Sequence, residues 1–125
     1  MKFEVKDLLA FTNPDEELQV LDRLFNQNIW ELPESEIQSS GYVIHTLEAS
    51  IWCLLTTNSY QEAVLKAVNL GDDTDTTAAV TGGLAAILYG FENIPRDWVN
   101  QIARKDDIDH LAKRLAVQMI KHNNL

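Results

Sequence analysis

The segment Gly71-Asp72-Asp73-Thr74-Asp75-Thr76-Thr77 sets three carboxylates within four positions, followed at once by hydroxyls. Like charges at that range repel, and the cost grows as the local dielectric falls below that of water. Two offsets are available. A following helix supplies free backbone N–H groups and a partial positive charge, so the segment reads as an over-acidic helix cap. Alternatively, Asp73, Asp75 and Thr76 gather carboxylate and hydroxyl oxygen within one turn, the donor set preferred by Mg2+ or Mn2+. An EF-hand is excluded: with Asp73 as position one, the required glycine falls on Ala78 and the closing glutamate on Leu84. Spacing alone leaves the cap and the cation site both open.

Other candidates are sparse. Tyr42 follows Gly41 at a break in the pattern and is a candidate for lining a ligand pocket. His45, His110 and His122 show no ligand spacing with one another, and only His45 lies beside a suggestive segment. Cys53 is the single cysteine and sits in the apolar run 51–55, which predicts a buried thiol and excludes a disulfide framework. Trp52, Tyr89 and Trp98 fall at helical spacing and read as core or pocket wall. The pairs Arg104-Lys105 and Asp106-Asp107 read as a solvated helix junction.

The elements that must position these residues are helical. Asn13-Pro14 followed by Asp15, Glu16 and Glu17 is a helix start, with Leu18, Leu21, Leu24 and Phe25 on one face. Residues 29–41 read as a connection with a short turn at 33–36. A second helix from about Thr46 carries Leu47, Ile51, Leu54 and Leu55 and stops near Thr57-Asn58. Ser59 with Glu62 is a capping box for a third, which ends near Gly71 in a left-handed position. A fourth begins within residues 73–76 and ends at Gly90, with an expected stripe of Val80, Leu84, Ile87 and Leu88. Gly82-Gly83 lies inside it at a cost of about 1 kcal/mol per glycine, and with Ala78, Ala79, Ala85 and Ala86 gives a thin surface that neighbours can approach. Pro95 opens a fifth with Trp98, Val99 and Ile102. A sixth from about Asp106 carries Ile108, Leu111, Leu115 and Met119. No run alternates long enough to be a strand. The expected fold is therefore all-α, a bundle of about six helices in a single domain spanning residues 1–125.

Composition agrees with this frame. The chain has 125 residues, 46% of them hydrophobic, with 10 Lys+Arg against 19 Asp+Glu and a formal net charge of -9. That length supports one core. The acidic balance argues against nucleic-acid and anionic-membrane surfaces, which need basic patches. Seven acidic residues and one Arg in the stretch 13–36 account for much of the surplus and read as solvated surface. No stretch is apolar enough for a secretory signal or a membrane span, so a cytoplasmic protein is expected.

The stretch from Ser40-Gly41-Tyr42-Val43-Ile44-His45-Thr46-Leu47-Glu48-Ala49, through Ala63-Val64-Leu65-Lys66-Ala67-Val68-Asn69-Leu70, to Gly71-Asp72-Asp73-Thr74-Asp75-Thr76 and Gly90 resembles the C-terminal part of the ADP-ribosylglycohydrolase family. That family includes the dinitrogenase-reductase-activating glycohydrolases. Ile94-Pro95-Arg96-Asp97-Trp98 resembles the segment closing the pattern, so the likeness covers residues 39–100. It implies an all-α bundle with a dinuclear magnesium or manganese centre. It also implies hydrolysis of the glycosidic bond between ADP-ribose and a modified side chain or small molecule, with Asp73, Asp75 and Thr76 as metal ligands.

The departures carry information too. Family members are longer and hold the rest of the metal centre on a Thr-Asp-Asp-type motif in an N-terminal region; no such motif precedes residue 71 here. At Asp72 the family usually has glycine, and at His45 often aspartate. The resemblance thus implies a truncated or split C-terminal half, inactive alone and completed by an N-terminal half or associating as a homo-oligomer through uncovered apolar faces. The alternatives are a non-catalytic module holding a divalent cation or ADP-ribose-type ligand, and a helical interaction module.

Overall fold

The computed structural model describes residues 14–26 and 28–123, and no strand occurs among them. Six helices follow in order: α1 (Pro14–Asn26), α2 (Val43–Leu55), α3 (Tyr60–Val68), α4 (Thr74–Tyr89), α5 (Arg96–Gln101) and α6 (Lys105–Asn123). Single 3-10 turns occupy Ile29–Glu31, Glu34–Glu36 and Phe91–Asn93. The architecture is all-α, as periodicity and resemblance both imply. The expected cap at Asn13 lies outside the described residues. No helix among those described is long and apolar enough to cross a membrane. The chain divides into two compact units between Asn93 and Ile94.

In the first unit, α4 packs on both α2 and α3, and α1 lies against α2. Ile29, Ile37, Ala49, Trp52, Cys53 and Ala67 form a buried cluster, with Leu24, Leu32, Leu70 and Ala78 packed against it. The connection 29–41 is therefore part of the core: Ile29 and Ile37 fold back onto α2, and the Trp52 indole N–H donates to the Leu32 carbonyl at 3.1 Å. Lys66 Nζ sits 3.8 Å from the Trp52 ring centroid and donates to Thr56 Oγ1 at 2.7 Å. Burial pushes the Cys53 thiol up to about 11, which leaves it an unreactive core residue.

Four local expectations change. α2 starts at Val43, three residues before Thr46. Phe25 is 74% exposed, although Leu21 and Leu24 of the same stripe are half-buried. At α3 the Ser59 hydroxyl accepts from Glu62 N–H at 3.2 Å, but the Glu62 carboxylate returns to Asn58 N–H at 2.9 Å, one residue before the cap. The fourth change concerns α4. Its buried side is Thr77, Thr81 and Ala85, while Val80, Ile87 and Leu88 are exposed. Small side chains let neighbours approach closely, and the two buried hydroxyls donate back to carbonyls one turn earlier, Thr77 to Asp73 and Thr81 to Thr77. A Cβ on Gly82 would meet the Tyr60 hydroxyl at 3.3 Å, whereas one on Gly83 would meet nothing within 4 Å.

Arg23 is the tie between α1 and α2. Its Nη2 donates to Glu48 Oε1 at 3.0 Å and to the Glu36 carbonyl at 3.2 Å. Glu48 is 3% exposed, so its charge is taken out of water. Arg23 Nε and Glu48 Oε2 are buried without a hydrogen-bond partner, and the attraction repays the desolvation only in part. Burial accordingly holds the Glu48 carboxyl above its ordinary value of 4.5, against the opposing pull of Arg23 and then His45.

In the second unit Pro95 opens α5, accepting from Trp98 N–H at 3.0 Å. Arg104, at φ +58, turns the chain into α6, and its Nε contacts Asp107 Oδ2 at 2.7 Å. The expected stripe of α6 is solvent-facing: Ile108, Leu111, Leu115 and Met119 are each more than half exposed.

Two outcomes follow from this packing. Gly83→Ala should stabilise the first unit by about 0.5–1 kcal/mol, read as a higher thermal midpoint, while Gly82→Ala should gain less or lose because it crowds Tyr60. Because the folded-state pKa of Glu48 is raised, its contribution to stability is present at low pH and lost as pH rises through that value. The melting temperature of the wild type relative to Glu48→Gln should therefore fall from about pH 4 to about pH 7; a rise would mean that the Arg23 attraction outweighs burial.

Candidate functional site

The site begins with two loops tied to each other. Asp73 N–H donates to the Ser39 carbonyl at 3.1 Å, and the Ser39 hydroxyl donates to the Gly71 carbonyl. Ser39 is itself 5% exposed, so both bonds are sheltered from water. Next along the chain, Gly41 lies so near Asp73 that a Cβ there would stand 2.8 Å from the carboxylate Oδ2. Only glycine allows this approach without moving the acid. The second loop makes its own bend through Gly71 at φ +87 and Asp72 at φ +62. Aspartate tolerates the left-handed region better than most residues, and glycine tolerates it best.

The bend delivers Asp73 to the N-cap of α4, where the cap reading and the cation reading can be compared. Asp73 makes no capping hydrogen bond through its side chain. The Asp73 carbonyl opens the helical ladder, accepting from Thr77 N–H at 3.2 Å and from Thr77 Oγ1 at 3.1 Å. Asp73 is half-buried as a residue, and the Thr76 hydroxyl, then the Asp75 carboxyl, with a smaller part from the Thr76 backbone N–H, hold its carboxyl below its ordinary value of 3.8. Asp75 and Thr76 are exposed. All three predicted side chains therefore share the first turn of α4, with Asp73 ionised beside Asp75 and Thr76.

The donor chemistry fits a hard divalent cation, since two carboxylates and a hydroxyl are oxygen ligands of the right kind. The set is incomplete. Among the described residues no group of three His, Cys, Asp or Glu side chains stands together to hold a metal ion. Asp73, Asp75 and Thr76 make up at most part of a coordination sphere of six or more oxygens.

Tyr42 reaches this region through the chain: it follows Gly41 and occupies the N-cap position of α2. It is 40% exposed, with its ring edge-on to His45 at 5.1 Å between centroids and 85° between planes. Ser40 connects the two, its hydroxyl accepting from Tyr42 N–H at 3.3 Å and lying 2.7 Å from His45 Nδ1. Ser39 and Ser40 belong to the Ser-Ser-Gly break before α2, which is the local signal in the sequence for this junction. Asp72, the third acid of the segment, is exposed and serves the bend.

The family model for ADP-ribosylglycohydrolase matches residues 3–124, nearly the whole sequence. The chain belongs to the ADP-ribosylglycohydrolase family. Among its relatives in that family, the ADP-ribosylarginine hydrolase Tri1 of Serratia proteamaculans (strain 568) is 47% identical over 85 residues, covering 68% of this chain and 23% of the relative. Tri1 of Pseudomonas putida (strain GB-1) is 45% identical over 80 residues, covering 64% and 22%. The ADP-ribosyl-[dinitrogen reductase] glycohydrolase of Rhodospirillum rubrum is 34% identical over 68 residues, covering 54% and 23%. The chain thus spans less than a quarter of the length of these ADP-ribosylglycohydrolases.

Gly41→Ala tests the junction of the two loops. It should displace the Asp73 carboxylate at a cost in stability below about 1 kcal/mol, since the end of a flexible side chain can swing aside, whereas Asp72→Gly should leave the denaturation midpoint unchanged or raise it. Chemical denaturation of both variants reads the difference.

Proposed function

We propose that this chain supplies one part of the active site of a metal-dependent ADP-ribosyl hydrolase, acting on the glycosidic bond between ADP-ribose and a modified side chain or small molecule. The names of the two Tri1 relatives favour an arginine side chain as the acceptor. The observation that carries the reading is the convergence of Asp73, Asp75 and Thr76 on one helical turn, with Asp73 held ionised. Asp73, Asp75 and Thr76 would hold Mg2+ or Mn2+, which supplies a grip on ribose hydroxyls and an activated water at the anomeric carbon. The carboxylates add electrostatic support for an oxocarbenium-like transition state. Tyr42, edge-on to His45, would offer a fixed ring face as one wall of the ligand site. The remaining ligands would come from a segment outside these 125 residues, in the same or another polypeptide, and the chain alone would not turn over. A cytoplasmic setting suits this reading.

A second reading is favoured by the short donor set: a module that binds a divalent cation or ADP-ribose-type ligand without turnover. A hydrolysis assay on ADP-ribosylated arginine, run with the chain alone and mixed with the N-terminal part of a full-length relative, separates them. The hydrolase reading expects Mg2+-dependent release of ADP-ribose in the mixture only. Heat on titration with Mg2+ and ADP-ribose, with no release in the mixture, would support the binding module. No heat and no release would leave only a helical interaction role. Asp75→Asn should weaken Mg2+ binding at least about tenfold with the helical circular dichroism unchanged; unaltered affinity would remove Asp75 from the ligand set.

A further inference from the structure

Two patterns coincide along α6. Ile108, Leu111, Leu115 and Met119 recur at spacings of three and four, so they share one face, and they are 53%, 64%, 60% and 55% exposed. Beside that seam Asp107, Arg114 and Lys121 recur every seven residues and therefore line one flank of it. We propose that α6 pairs antiparallel with α6 of a second copy of this chain.

The apolar face alone does not name its partner; the order of charges does. In a parallel pair the same flank of the two copies lies on opposite sides of the seam, so Asp107 and Lys121 of one copy do not meet those of the other. In an antiparallel pair centred near Arg114, Asp107 of each copy meets Lys121 of the other. Leu111 then packs beside Leu115, and Ile108 beside Met119. The helix is 19 residues long, about 28 Å, and the two ion pairs stand 14 residues apart, near its ends. Opposed helix dipoles add to the preference. Asp107 already touches Arg104, but that pair is 82% and 64% exposed and worth too little to hold it from Lys121. One contact opposes the arrangement: Arg114 meets its own copy at the centre.

This pairing stands apart from the hydrolase reading and needs no ligand to test. Sedimentation equilibrium on the full 125-residue chain should show a monomer–dimer equilibrium. Leu115→Asp should weaken the dimer at least about tenfold by burying a charge in the seam. Asp107→Lys and Lys121→Asp should each weaken it, and the double variant should restore the wild-type constant to within about threefold, since the charges are exchanged between the ends. Restoration separates pairing from helix damage, because both substitutions oppose the helix dipole and a fraying helix would be worse in the double variant. Arg114→Gln should tighten the dimer. A monomer at every concentration up to about 100 μM, where a weak helix pair should form, would overturn the proposal. So would a dimer indifferent to Leu115→Asp, or a double variant no better than the singles.

Discussion

The candidate site depends on one backbone hydrogen bond. Asp73 N–H donates to the Ser39 carbonyl, and through it two loops separated by more than thirty residues become one surface. The Ser39 hydroxyl adds a second tie to Gly71, and Gly41 closes the gap by having no side chain to keep the carboxylate away. Buried backbone groups must find partners, so the two loops satisfy one another where neither has a strand or helix to do it. The acids of α4 and the ring of Tyr42 inherit their positions from that requirement.

Behind the loops stands a helix whose buried side is made of small and hydroxylated residues. Thr77, Thr81 and Ala85 let α2 and α3 come close to α4, and Ser50 donates to the Thr77 carbonyl at 3.3 Å across that seam. The gain is positional rather than hydrophobic. A thin, hydrogen-bonded seam fixes the helix against sliding better than a loosely filled apolar one, and the first turn of α4 shares that rigidity.

Much of this was legible in the residues. Gly71 and Gly90 bracket α4 through their freedom at positive φ, and Ser59-x-x-Glu62 announces the start of α3. Asp73, Asp75 and Thr76 are neighbours in sequence, and a single helical turn keeps them neighbours in space. What the pattern missed is non-local. Thr77 and Thr81 look polar and are buried, because their hydroxyls bond within their own helix. Val80 and Ile87 look like core and are exposed, since an apolar stripe says nothing of which face a neighbour covers. The acid-rich stretch 13–36 reads as solvated surface, yet its one arginine reaches across to the buried Glu48. Pairings over twenty-five residues leave no local trace.

Cys53 has a use that its inertness provides. It is the single thiol of the chain, 0% exposed, with its ionisation pushed up to about 11. A thiol reagent in neutral solution can reach it only when the core around α2 opens. The rate of its labelling is therefore a clock for that opening, set by the local free energy of the first unit and blind to fraying of α5 or α6. One buried sulfur atom makes the lifetime of the loop-bearing unit measurable without any added probe site.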